Sequence, residues 1–93
     1  MIGKLVIVRT YGAGVHVGTL KSRNGQEVSL SDARRLWRWR GANTLHEVAI
    51  HGVDEAYTRL SDPVEHIILT SAIELMLVSD TAKMSLTTSR WPT

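Results

Sequence analysis

Asn24-Gly25, set between two runs of β-forming residues, is the feature that most limits what this chain can fold into. Asparagine and glycine tolerate the left-handed backbone of a two-residue hairpin turn, so Arg23-Asn24-Gly25-Gln26 predicts antiparallel strands on either side of it. Before the turn, Val15, Val17 and Thr19 alternate with His16, Gly18 and Leu20; after it comes Glu27–Leu30. Alternation at a period of two marks a strand. Another strand is predicted over Lys4–Thr10, and Tyr11-Gly12-Ala13-Gly14 supplies the glycines for a reversal between it and the next.

Beyond an interruption at Ser31-Asp32, the segment Ala33–Arg40 reads as strand or as a helix capped by Ser31 or Asp32, and the strand reading is the better one. At period two, Trp37 and Trp39 share one face and Arg38 and Arg40 the other, whereas a helix would spread the two indoles about 200° apart. Gly41-Ala42 ends this strand, and Asn43 or Thr44 can cap a short helix whose Leu45, Val48 and Ala49 line one side before Gly52 closes it. Val53–Pro63 reads as polar loop. Val64–Leu69 and Ala72–Val78 are apolar runs divided by Thr70-Ser71, to be read as paired strands or as one bent strand. Asp80–Leu86 adds an optional short helix capped by Ser79 or Asp80. The expected fold is α+β, mostly β: a single small antiparallel sheet or a partly closed barrel, with one short central helix and that optional C-terminal one.

Ninety-three residues hold one core, expected over residues 1–86, with 87–93 as a C-terminal tail. A domain this small buries about 60–65% of its unfolded surface, which favours self-association into a homo-oligomer. The chain has no cysteine, which removes disulfides, iron–sulfur clusters and thiolate zinc sites, and the apolar run after Lys4 is too short for a membrane span. A cytoplasmic protein with no membrane partner is the expectation. The net charge of +2 hides a division: residues 1–46 carry eight Lys/Arg against Glu27 and Asp32, residues 47–93 three against seven acids. Such asymmetry suits an anionic partner or contact between subunits.

Two motifs fall short. Gly12-Ala13-Gly14-Val15-His16-Val17-Gly18 resembles a dinucleotide fingerprint but lacks the third glycine at 17 and the helix that would open there. His46-Glu47-Val48-Ala49-Ile50-His51 resembles a zinc-protease helix, but its histidines are five residues apart and so about 140° around a helix. His16 and His66 are isolated, and the serines and carboxylates are scattered, so neither a metal, a cofactor nor a catalytic triad is expected.

One constellation stands out. Arg34, Arg35, Arg38 and Arg40 interleave with Trp37 and Trp39, and no acid occurs from Ala33 to His46. Guanidinium groups fork onto phosphate oxygens and indoles stack on bases, so the strip suits a nucleotide or single-stranded nucleic acid. A helix opening at Asn43 and Thr44 would add backbone N–H donors beside the arginines. The competing account makes the tryptophans core anchors, since the chain has no phenylalanine, and leaves the arginines a solvated face.

The succession YGAGVHVGTL, NG, ARRLWRWRGANTLHEVAIHG and PVEHIILTSAIELM resembles a family of small proteins of tailed phages and prophages, over roughly residues 4–80. The resemblance implies a phage origin and a β-rich fold with one helix, and assigns no catalytic residue. Together with the strip it yields the expected function: a non-enzymatic counter-defence protein that, as a homo-oligomer, sequesters a nucleotide-type immune signal. Arg34, Arg35, Arg38 and Arg40 would meet phosphates, Trp37 or Trp39 a base, and Asn43 and Thr44 would donate from the helix start. The alternatives are direct inhibition of a host defence protein, single-stranded nucleic-acid binding, and a minor virion component.

Overall fold

The computed structural model describes residues 1–39, 44–55 and 58–88. Its strands are β1 (Leu5–Thr10), β2 (Val15–Asn24), β3 (Glu27–Arg38), β4 (Arg59–Leu60), β5 (Val64–Leu69) and β6 (Ala72–Leu77), with helices α1 (Leu45–His51) and α2 (Asp80–Thr88). All six strands join one antiparallel sheet in the order β4-β3-β2-β1-β6, with β5 paired to the first half of β3. The chain is thus α+β, mostly β. The hairpin forms at this sequence, but its two-residue loop is Gly25-Gln26 rather than Asn24-Gly25: Asn24 is the last residue of β2 and pairs with Glu27 across the turn, and Gly25 alone takes a positive φ, +61°.

The sheet buries both of its faces. In β1, Val6 and Val8 turn to one side and Ile7 to the other, and all three are fully buried, which is why this strand reads as a continuous apolar run. Val6, Val8, Leu20, Val28, Leu30, Ala33 and Leu69 form an inner cluster on one face of the sheet. On the opposite face, Ile7, Val17, Leu36 and Leu60 pack under Val48 and Ala49 of α1 and Ala82 and Leu86 of α2.

Ser79 ties the two helices to each other. Its N–H donates to the Ala49 carbonyl at 2.8 Å, its Oγ donates to the Ile50 carbonyl, and the same Oγ accepts from the Ala82 N–H at 3.0 Å as the N-cap of α2. Gly52 closes α1 at φ +83° and is packed so tightly that a Cβ there would collide with Ser85 Oγ.

Several details differ from the sequence reading. Ser31-Asp32 does not end a strand; it is a bulge inside the twelve-residue β3. The loop Val53–Pro63 contains β4, because Leu60 has a buried site to fill beside Leu36. The runs Val64–Leu69 and Ala72–Leu77 are separate strands, yet neither paired together nor one bent strand: β5 lies on β3 and β6 on β1. The C-terminal helix forms and reaches Thr88, into the predicted tail; residues 89–93 lie outside the described ones.

Candidate ligand-binding site

The placement of the arginine–tryptophan strip is decided by the bulge at Asp32. Thr19 pairs with Ser31 and Val17 with Arg34, so two residues advance on β2 while three advance on β3. Asp32 absorbs the extra residue at φ +49°, a left-handed conformation that aspartate tolerates better than most side chains. Gly18 lies opposite, where a Cβ would come within 3.1 Å of Ala33 Cα. The alternation reverses across the bulge: Val28 and Leu30 belong to the inner cluster before it, Ala33 belongs to that cluster after it, and Leu36 belongs to the cluster under the helices.

Arg34 accordingly turns towards α2. Its Nε donates to the Ser61 carbonyl at 2.7 Å, Nη1 to the Leu86 and Thr87 carbonyls at 3.3 and 3.0 Å, and Nη2 to the Leu60 carbonyl at 3.4 Å. A cation on the last carbonyls of a helix meets the negative end of its dipole, so Arg34 both clamps α2 to β4 and compensates that end. Around it lies a groove of about 470 Å³ between the sheet and α2. Leu5, Val17, Pro63 and Leu86 give it apolar walls, Asp32, Asp62, Arg34 and Lys83 give it two charges of each sign, and Thr19 and Thr87 also line it. That size is in the range of pockets that hold nucleotide-sized ligands.

The remaining strip residues go elsewhere. Arg35 extends on the other side of β3, with its guanidinium against Gly14 and its backbone held by Ser61. Beside it His16 is only 7% exposed, and its Nε2 hydrogen-bonds the Ala13 carbonyl at 2.9 Å. Burial depresses the His16 pKa below its ordinary value; the carbonyl bond opposes this and the Arg35 charge adds to it.

Trp37 is 53% exposed, with the Arg59 guanidinium 5.8 Å from its ring centroid. Trp39 instead packs against the cluster beneath the helices, so the two indoles do not share the single face that a regular strand would give them. The reason is a second irregularity between Leu36 and Arg38, after which β3 ends. Arg38 is exposed opposite Arg59; Arg40 and Asn43 lie outside the described residues.

Thr44 is the N-cap of α1. Its Oγ1 accepts from the Glu47 N–H at 3.3 Å and faces the Glu47 carboxylate at 3.4 Å, so the helix start already holds an acid of its own chain. The structure therefore brings together Arg34 with Asp32, Asp62 and Lys83, none of them near it in the sequence strip except Asp32. Asp62 and Lys83 had no local signal, because only the packing of α2 over the sheet brings them to the groove.

Among the described residues, no three His, Cys, Asp or Glu side chains come close enough to hold a metal ion. One pair that sequence spacing could not show is Ser29 Oγ and His66 Nε2, 2.6 Å apart across β3 and β5. It sits on the sheet surface, outside the groove lining. No helix among the described residues is long and apolar enough to cross a membrane.

The model of a family described as a domain of unknown function (DUF6948) matches residues 3–86. No curated protein and no solved structure matches.

Proposed function

The chain belongs to the DUF6948 family, a domain of unknown function, and from its groove we propose that it is a non-enzymatic phage accessory protein that sequesters a nucleotide-type signal of host defence. The observation that carries this reading is the mixed-charge groove between the sheet and α2, with Arg34 and Lys83 set against Asp32 and Asp62. A nucleotide combines an anionic phosphate with hydroxyl and amino donors on its sugar and base, so it can satisfy cations and carboxylates in the same cleft. Arg34 supplies positive potential while most of its N–H groups serve the fold, and Lys83 is the exposed cation on α2 that can close on a phosphate.

The test is to incubate the purified protein with cyclic dinucleotides, cyclic trinucleotides and ADP-ribose derivatives, remove free ligand, and denature the complex. Release of one of them intact, at near one per chain, is the expected result, and Lys83→Glu should reduce capture at least tenfold. Failure to retain any of them, or recovery of a cleaved product, would reject the reading.

A second reading has its own observation. Trp37 stands exposed with Arg59 and Arg38 around it, and tryptophan and arginine dominate protein-interface hot spots. This favours a contact with a host defence protein. Loss of a co-purifying host protein in Trp37→Ala, with nucleotide capture unchanged, would identify it.

A further inference from the structure

The charges of the groove are sorted by wall. Asp32 sits in the bulge of β3, one residue before Ala33, which pairs with Val64, and Asp62-Pro63 leads the chain into that same Val64. Register thus brings both acids to the end of the groove where β5 begins, and both are exposed there. Lys83 lies on the opposite wall, on α2, one turn before Leu86 and Thr87.

Arg34 crosses between the walls. Its guanidinium reaches the Leu86 and Thr87 carbonyls of α2 on one side and the Leu60 and Ser61 carbonyls on the other. Those bonds fix its place, so it offers a ligand positive potential, while the exposed ammonium of Lys83 on its flexible stem can follow an anion. Among the described residues the lining holds no aromatic ring. A base would lie on Leu5, Val17 and Leu86 without stacking, and the choice of ligand falls to the charged groups.

Such a layout suits a ligand whose negative charge is gathered at one end and whose hydrogen-bond donors are at the other. A cyclic dinucleotide is built otherwise: it is a closed ring with a phosphodiester on each side, and each ribose, flanked by phosphates, keeps a single hydroxyl. Turning one phosphodiester to Lys83 sends the other towards Asp32 and Asp62, where like charges meet. In ADP-ribose the two phosphates are adjacent, and the terminal ribose is a neutral end with free vicinal hydroxyls. Carboxylate oxygens accept hydrogen bonds, and a vicinal diol presents two O–H donors side by side.

We propose that the groove takes a nucleoside diphosphate that ends in a free sugar, of the ADP-ribose type, with the diphosphate at Lys83 over Arg34 and the sugar diol on Asp32 and Asp62. This assignment rests on the nucleotide reading of the groove and narrows it to one ligand class, chosen by the acids rather than by the basic strip. Asp32 then has two duties: its backbone sets the bulge, and its carboxylate receives the ligand.

Isothermal titration of the full chain with ADP-ribose, ADP and cyclic diguanylate tests this. ADP-ribose should bind about tenfold more tightly than either of the others, because ADP lacks the terminal ribose and cyclic diguanylate brings a phosphate to the acids. Asp32→Asn and Asp62→Asn should each lower the preference for ADP-ribose over cyclic diguanylate by about tenfold, with an unchanged far-UV circular dichroism spectrum. Asparagine suits the left-handed backbone at position 32 as aspartate does, so the bulge should survive. Cyclic diguanylate or ADP binding as tightly as ADP-ribose, or folded variants with an unchanged preference, would overturn the diol assignment and leave the groove a nucleotide site. Binding of none of the three would also overturn it, and capture of a cyclic trinucleotide would then show the nucleotide reading standing without it.

Discussion

Arg34 and Arg38 are four residues apart in one basic strip, yet the structure gives them opposite duties. Arg34 serves four main-chain carbonyls that join α2 to β4, whereas Arg38 is exposed. Charged hydrogen bonds contribute about 1.5–3 kcal/mol each when a partner is lost, although their effects overlap at one site. Arg34→Gln should thus lower the urea-unfolding free energy by about 2–4 kcal/mol, while Arg38→Gln should stay within about 0.5 kcal/mol. Equal effects would mean that the clamp does not exist. At the same scale His16 is a buried neutral imidazole whose pKa is lowered on folding. The unfolded chain then binds the proton more readily, so the stability from keeping His16 neutral is complete above about pH 6.5 and declines as the pH falls towards the depressed folded value. Urea midpoints measured from pH 8 to pH 5 should fall on acidification, and His16→Gln should flatten that fall.

At the scale of elements, the strands were legible where a short apolar run or a period of two marked them, the run in β1 and the period in β2 and the start of β3. The failures lie where the period slips. A single bulge residue, Asp32, reverses the orientation of everything after it, and no local pattern distinguishes such a residue from the end of a strand. Hence the strip was found but its shared face was not. Trp37 and Trp39 carry the test: Trp39 packs on the cluster under the helices and Trp37 does not. Trp39→Ala should cost about 2–4 kcal/mol and Trp37→Ala less than about 1 kcal/mol, read from denaturant midpoints. The helices were legible from their caps, since Thr44, Gly52 and Ser79 are the residue types that start and stop helices. What the caps could not show is that Ser79 also holds α1 through the Ala49 and Ile50 carbonyls. Ser79→Ala should accordingly cost more than the roughly 1 kcal/mol of an isolated cap, and more than Thr44→Ala, whose hydroxyl serves α1 alone.

At the scale of the molecule, chain length argued for self-association but could not locate it, because an edge is a property of strand order and strand order depends on contacts remote in sequence. The groove was hidden for the same reason: Asp32 and Lys83 are fifty residues apart and meet only when α2 closes over the sheet. If two chains associate, unfolding is linked to dissociation, and mass action makes the melting temperature depend on protein concentration. For a chain of this length about 1 kcal/mol shifts the melting temperature by about 4–8 °C, and a hundredfold rise in concentration favours a dimer by about 2.7 kcal/mol per mole of dimer, shared between its two chains. The melting temperature of the unaltered chain should therefore climb by several degrees over that range. Lys83→Glu, altered only in the groove, should keep the full concentration dependence, and its loss there would show that groove and subunit contact are one coupled system.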